Sequence, residues 1–303
     1  MSRSAVLTGR IDARDRAKLR GRLDRPPSRG VDPFVEIRGW LEASSYGSEE
    51  RDAMVRLDLD HYLHETGHIE LPAEERLRQL AIFVEPTYAA VAPDALDRIY
   101  EAAARLAPED HFIWHSRGIS AKLVATSAEK PSTVARFEKL SLRCLLRAWE
   151  LDATDPGVTY SLGKWHYELG TATEDAAEWF EQTLALDPDH GYALLFRAHC
   201  LHDQERWGEA VEAYRAVPLE TFEGPKAWLV EIVQEAQAYC LLRAGDRAGA
   251  LREFERLLER FEREPRRAEM LALRYLTKAC RGPLREELWP AYCRLSRLIG
   301  LPS

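Results

Sequence analysis

Apolar residues recur every three to four positions along nearly the whole chain, and no segment sustains a period of two. That spacing predicts amphipathic helices and no sheet. Ser48, followed by Glu49 and Glu50, reads as an N-cap with an acidic first turn, and Val55, Leu59, Tyr62 and Leu63 then share one face of a helix over 51–66. Pro72 opens a second helix, since proline is tolerated at a first helical position. A third is predicted from about Asp94 to Leu106, ending near Pro108. The cluster Pro26-Pro27-Ser28-Arg29-Gly30 separates an arm or linker (1–30) from a helical region (31–110).

Downstream the pattern repeats itself. Ala176, Ala210 and Ala250 share one phase, and each is followed four residues later by an aromatic: Phe180, Tyr214 and Phe254. The spacings are 34 and 40 residues at both positions. An upstream copy carries Ser141, Leu145 and Ala148. Each of these helices follows a partner helix with a small residue: Gly118, Gly163, Ala198 and Ala238. Gly170, Glu205 and Gly245 occupy the intervening turns. A small residue on one helix lets its neighbour approach, and the aromatic fills the remaining gap. Neither helix buries its face alone, so the pairs must stack.

This set resembles the tetratricopeptide repeat family. Trp114 and Gly118 match the opening of a first repeat, and Leu162-Gly163, Gly170, Ala176, Phe180, Leu184 and Pro188 match a second. Ala198, Ala210 and Tyr214 stand in a third, and Gly245, Ala250 and Phe254 in a fourth. There are departures: about eleven extra residues around 126–137, an early end at Pro218, and Arg197 where leucine is expected. The resemblance implies an all-α, right-handed α-α solenoid with about four repeats over 111–262 and capping helices over 263–303. It also implies a groove, lined by the first helices of successive repeats, that receives a partner peptide or helix. Carried over, the lining positions are His115, Ile119, Tyr160, Lys164, Tyr167 and Tyr192, continuing with Leu195, His199, His202, Glu235, Tyr239 and Leu242. The family's two-carboxylate clamp uses asparagines, and this chain has none. A partly apolar segment is therefore expected as ligand, not an acidic C-terminal tail.

Composition changes the picture in two places. The net charge of −8 conceals an N-terminal stretch, 1–30, with nine basic residues against Asp12, Asp15 and Asp24. Such an arm is a candidate for contact with nucleic acid or an anionic surface, but it has no aromatic residue to stack on a base. The five cysteines form no C-x-x-C pair, so they read as small buried hydrophobes, not as a disulfide framework or zinc site. With no apolar leader and no long apolar run, a cytoplasmic protein is the expectation. The arginine excess over lysine, with the missing asparagine, suggests a GC-rich, bacterial genome.

One motif carries chemistry. His64-Glu65-Thr66-Gly67-His68 is a literal H-E-x-x-H, which on a helix sets two imidazoles to ligate zinc and a glutamate to activate its water. Gly67, with Pro72 close behind, instead reads as the end of the helix, which takes His68 off the shared face. A protein-binding adaptor or scaffold without cofactor or catalytic residues is the leading expectation. A zinc metallopeptidase recruiting through its repeats, and a regulatory subunit contacting nucleic acid through the basic arm, are the alternatives.

Overall fold

The computed structural model describes residues 71–299, apart from 92, 171, 223–225, 227 and 266–272. The H-E-x-x-H segment and the basic arm lie outside the described residues. Among the described residues there are helices and turns and no strand. The chain divides into two compact units, Met1–Trp165 and His166–Ser303.

In the first unit, α1 (Ala73–Val91) and α2 (Pro93–Leu106) pack as a pair. Next come α3 (His111–Ser127) and α4 (Pro131–Leu151), and α3 rests on both α1 and α2. The helices expected to open at Pro72 and at about Asp94 thus pack against each other. Leu77, Leu80 and Val84 of α1 are buried, as are Leu96, Ile99 and Tyr100 of α2. Between α3 and α4 the small-residue rule is visible directly. A Cβ added to Gly118 would lie 2.7 Å from Leu145 Cδ2 and 3.2 Å from the Leu145 backbone nitrogen. The extra residues of this pair lengthen both helices, to 17 and 21 residues. Arg117, buried in α3, donates from Nε to Asp97 Oδ1 on α2 at 2.8 Å.

Helix α5 (Pro156–Leu169) runs across the division. In the second unit follow α6 (Thr173–Leu186), α7 (Gly191–Asp203), α8 (Trp207–Arg215), a short 3-10 turn at Leu219–Thr221, α9 (Trp228–Arg243) and α10 (Arg247–Arg263). Helix α7 packs on α6 and α8, α8 on α9, and α9 on α10. The alanines and aromatics of the repeat register are all sealed: Ala176, Ala210, Ala250, Phe180 and Phe254 show no exposed surface, and Tyr214 almost none. Phe180 stacks on Phe196 with ring centroids 5.5 Å apart. A further pair, α11 (Arg274–Arg281) and α12 (Arg285–Leu298), continues the stacking, α11 on α9 and α12 on α10.

Without asparagine, the helix starts are closed by other side chains. Asp110 accepts from Phe112 N–H, Asp155 from Gly157 N–H and Asp246 from Gly249 N–H. His190 Nδ1 does the same for Ala193 N–H. Two turns close alike: Arg206 N–H reaches Leu201 O at 2.9 Å, and Asp246 N–H reaches Leu241 O at 2.9 Å. That closure needs a left-handed residue just past the helix. Gly245 supplies it at φ +95°, and Glu205 adopts it at φ +57°.

Candidate functional site

The first helices of the second unit carry a row of rings. Tyr167 on α5, His202 on α7, Tyr239 on α9 and Tyr275 on α11 recur every 35, 37 and 36 residues. Each repeat therefore presents an aromatic or imidazole ring at one phase. Tyr239 and Tyr275 stack with centroids 4.7 Å apart, and His202 meets Tyr275 edge-on at 5.0 Å. Trp207 packs edge-on against His202 at 5.3 Å and Tyr239 at 6.0 Å. Tyr167 packs against Phe196 and His199.

Polar groups tie the row together. The Tyr167 hydroxyl donates to Asp203 Oδ2 at 2.7 Å. His202 Nδ1 lies 2.9 Å from Asp203 Oδ1, and since an ionised carboxylate only accepts, Nδ1 carries the hydrogen. Burial works to raise the Asp203 pKa, but the hydrogen bonds from His202 and Tyr167 outweigh it and hold the group below its usual range. Burial and donation to that carboxylate push the Tyr167 phenol well up. His202 Nε2 is buried among the rings without a hydrogen-bond partner. His199 Nδ1 lies 2.7 Å from the Tyr214 hydroxyl, and burial drives its pKa down to about 4.

Cations lie over the rings at Trp207 and Tyr239. Arg243 sits 4.5 Å over the Trp207 ring and donates to the Tyr239 hydroxyl at 3.2 Å, and Lys278 sits 4.9 Å over Tyr239. Burial raises the Tyr239 pKa, yet the hydrogen bonds from Lys278 and Arg243 reverse the sign and leave it lowered.

Of the positions expected to line a groove in this unit, the structure brings together Tyr167, His199, His202 and Tyr239. Tyr192 is half-buried elsewhere, edge-on to Phe222 with Lys226 over its ring. Leu195 is a buried core residue, and Leu242 packs against that core. Glu235 is buried too, because its carboxylate accepts from the N–H groups of Tyr275 and Leu276. In the first unit, Ile119 is exposed, with Leu123 one turn further on also exposed. His115 Nε2 lies 2.8 Å from Ser161 Oγ, and burial lowers its pKa. Tyr160 and Lys164 are half-buried.

Sequence reasoning missed Asp203, Phe196, Trp207, Tyr275 and Lys278. Tyr275 had a signal: it continues the ring period one repeat beyond the stretch read as repeats. Among the described residues no group of three His, Cys, Asp or Glu side chains could hold a metal ion, and no helix is long and apolar enough to cross a membrane. The described cysteines Cys144, Cys200, Cys240 and Cys280 are buried thiols, and Cys293 is half-buried.

In the second unit, helix pairs stack with sealed alanines and aromatics, and each first helix carries a ring of the row. Residues 171–231 match the tetratricopeptide repeat family. That stretch is tetratricopeptide repeat. Two solved structures resemble it: a crystal structure of MamA at 15% identity, covering 65% of this chain and 99% of that one with a TM-score of 0.47, and a second at 14% identity, covering 63% and 96% with a TM-score of 0.46. No curated protein matches the sequence. Within 171–231 the chain carries the repeat scaffold of that family.

Proposed function

We propose that the protein is an adaptor that holds a peptide or helix of a partner protein along the first-helix face of its repeats. The observation that carries this reading is the ring row Tyr167–His202–Tyr239–Tyr275, with Asp203 bonded to Tyr167 and His202 and with Arg243 and Lys278 over Trp207 and Tyr239. Tyrosines offer broad apolar area with a polar tip at little entropic cost, which suits recognition of an extended segment. Asp203, Arg243 and Lys278 then meet the polar groups that such a segment carries. The expected ligand is a partly apolar segment of a cytoplasmic protein. The expected lining in the first unit is His115, Ile119, Tyr160 and Lys164.

Affinity purification followed by mass spectrometry, comparing the native chain with Tyr275→Ala and Lys278→Glu, tests this. Tyr275 is half-buried and Lys278 exposed, so both variants should fold. Loss of the same co-purifying protein from both, with melting curves close to native, is the expected result. An unchanged set of co-purifying proteins would overturn the reading.

A further inference from the structure

A second surface of the second unit has its own chemistry, independent of the ring row. A groove of about 1020 Å³ opens between α6 and α8, with α7 as its floor. Glu174, Glu178 and Glu181 stand along the α6 wall, and Glu209 and Glu212 along the α8 wall. Two arginines line it, Arg197 and Arg206. Both are already engaged, Arg197 with Glu181 at 3.7 Å and Arg206 with Glu209 at 2.8 Å. Arg215 reaches Glu212 at 2.6 Å, while Glu174 and Glu178 have no cationic partner among the described residues. Between the carboxylates the surface is apolar, made by Ala177, Leu201 and Ala213.

Gly208 shapes the opening. It is the second residue of α8, and a Cβ built there meets nothing within 4 Å. The wall is therefore open at that point because no side chain fills it. Arg197, placed where the repeat pattern expects leucine, also makes this floor polar instead of sealing it.

We infer that this groove docks a basic, arginine-rich segment of a partner protein, with the carboxylates pairing its cations and the Ala177–Leu201–Ala213 strip receiving its apolar side chains. Charge complementarity selects the occupant. Glu174 and Glu178, whose charge no cation among the described residues offsets, repel an acidic segment, and in a groove that repulsion is screened less than on open surface. Arginine fits best, because its planar fork meets a carboxylate through two hydrogen bonds.

The test uses the full chain and a fluorescein-labelled peptide alternating arginine and leucine, with a second peptide in which citrulline replaces arginine. Citrulline keeps the shape and removes the charge. Fluorescence anisotropy should show binding of the arginine peptide alone, weakened as salt rises. Glu178→Lys combined with Glu181→Lys reverses charge at exposed positions and should lower affinity about tenfold or more. Gly208→Trp projects a ring into the groove from a position where an added Cβ meets nothing within 4 Å, and should lower affinity comparably with a melting curve close to native. Tyr275→Ala should leave this affinity unchanged, which separates failure here from failure of the ring-row reading. Equal binding of the citrulline peptide would overturn the inference. So would binding that responds to the charge reversal but not to Gly208→Trp, since that is adsorption to an acidic surface and not docking in the groove.

Discussion

The carboxylate of Glu235, in the middle of α9, caps the start of α11 through the backbone of Leu276. Its Oε1 accepts from the N–H groups of Tyr275 and Leu276, both at 2.8 Å. The N-cap residue itself, Leu273, has no side-chain oxygen and sits at φ +43°. A helix start leaves its first N–H groups without partners inside the helix, and a local Ser, Thr or Asp usually answers them. Here a residue from the preceding repeat does so. Burial raises the Glu235 pKa against the pull of those two N–H groups.

Replacing Glu235 by leucine removes this cap and leaves two N–H groups unanswered. The expected loss is about 2 kcal/mol, the scale of a cap or of a hydrogen bond to a charged group. Glu235→Gln keeps an acceptor and should lose less. Chemical denaturation measures both, and hydrogen exchange should show the loss concentrated in α11. Equal stability of Glu235→Leu and the native chain would remove the cap from the account.

Gly118 is held against α4 from two sides. Leu145 covers its α-carbon, and the Ser141 hydroxyl donates to its carbonyl oxygen at 2.7 Å in a buried position. Gly118→Ala should cost about 1–3 kcal/mol by overpacking, despite the better helix propensity of alanine. Pairing it with Leu145→Ala relieves the side-chain clash, so the double variant should be more stable than the sum of the single losses. Thermal melts of the three variants provide the cycle.

Glu205 occupies a conformation that suits glycine. With a β-carbon the left-handed region costs about 1–2 kcal/mol. Glycine at the same place loses part of that gain through the greater freedom of its unfolded chain. Glu205→Gly should therefore stabilise the protein by about 1 kcal/mol or somewhat less. Differential scanning calorimetry would show it as a rise in Tm, and a fall in Tm would mean the glutamate side chain contributes more than its backbone costs.

His199 predicts a dependence on pH. Its folded pKa is lowered by burial to about 4 from an ordinary 6.5. Below 6.5 the unfolded chain takes up a proton that the folded protein refuses, so stability is complete above that pH and declines as pH falls towards 4. His199→Phe keeps a ring beside Tyr214 and Phe196 but cannot titrate. It should be less stable at neutral pH, having lost the Tyr214 hydrogen bond, and should show a shallower decline on acidification. Urea titrations at stepped pH, comparing the two slopes, decide this.

Much of the fold was legible because stacking helix pairs obey a local rule. Ala176, Ala210 and Ala250 and the aromatics four residues later could be placed in the core from spacing alone, since an aromatic beside a small residue at a repeated phase has few other uses. The extent of the stacking was less legible. Helices α1 and α2 pair, and α11 and α12 continue the series, although neither pair carries the small-plus-aromatic signature clearly. Packing can be satisfied by larger residues such as Leu80, Tyr88 and Leu288, and then the motif fades while the geometry persists.

By itself, the sequence determined where helices run in the repeat region and which of their faces are sealed, because helical periodicity and the size of a side chain are properties of the chain's own order. Tertiary structure alone decided what meets across repeats: that His202 and Tyr167 share Asp203, that Tyr275 stacks on Tyr239, and that Glu235 serves α11 instead of a ligand. The physical reason is that a helical period tells which way a residue points but not which side chain of the neighbouring helix stands opposite, and burial, hydrogen bonding and pKa all follow from that neighbour.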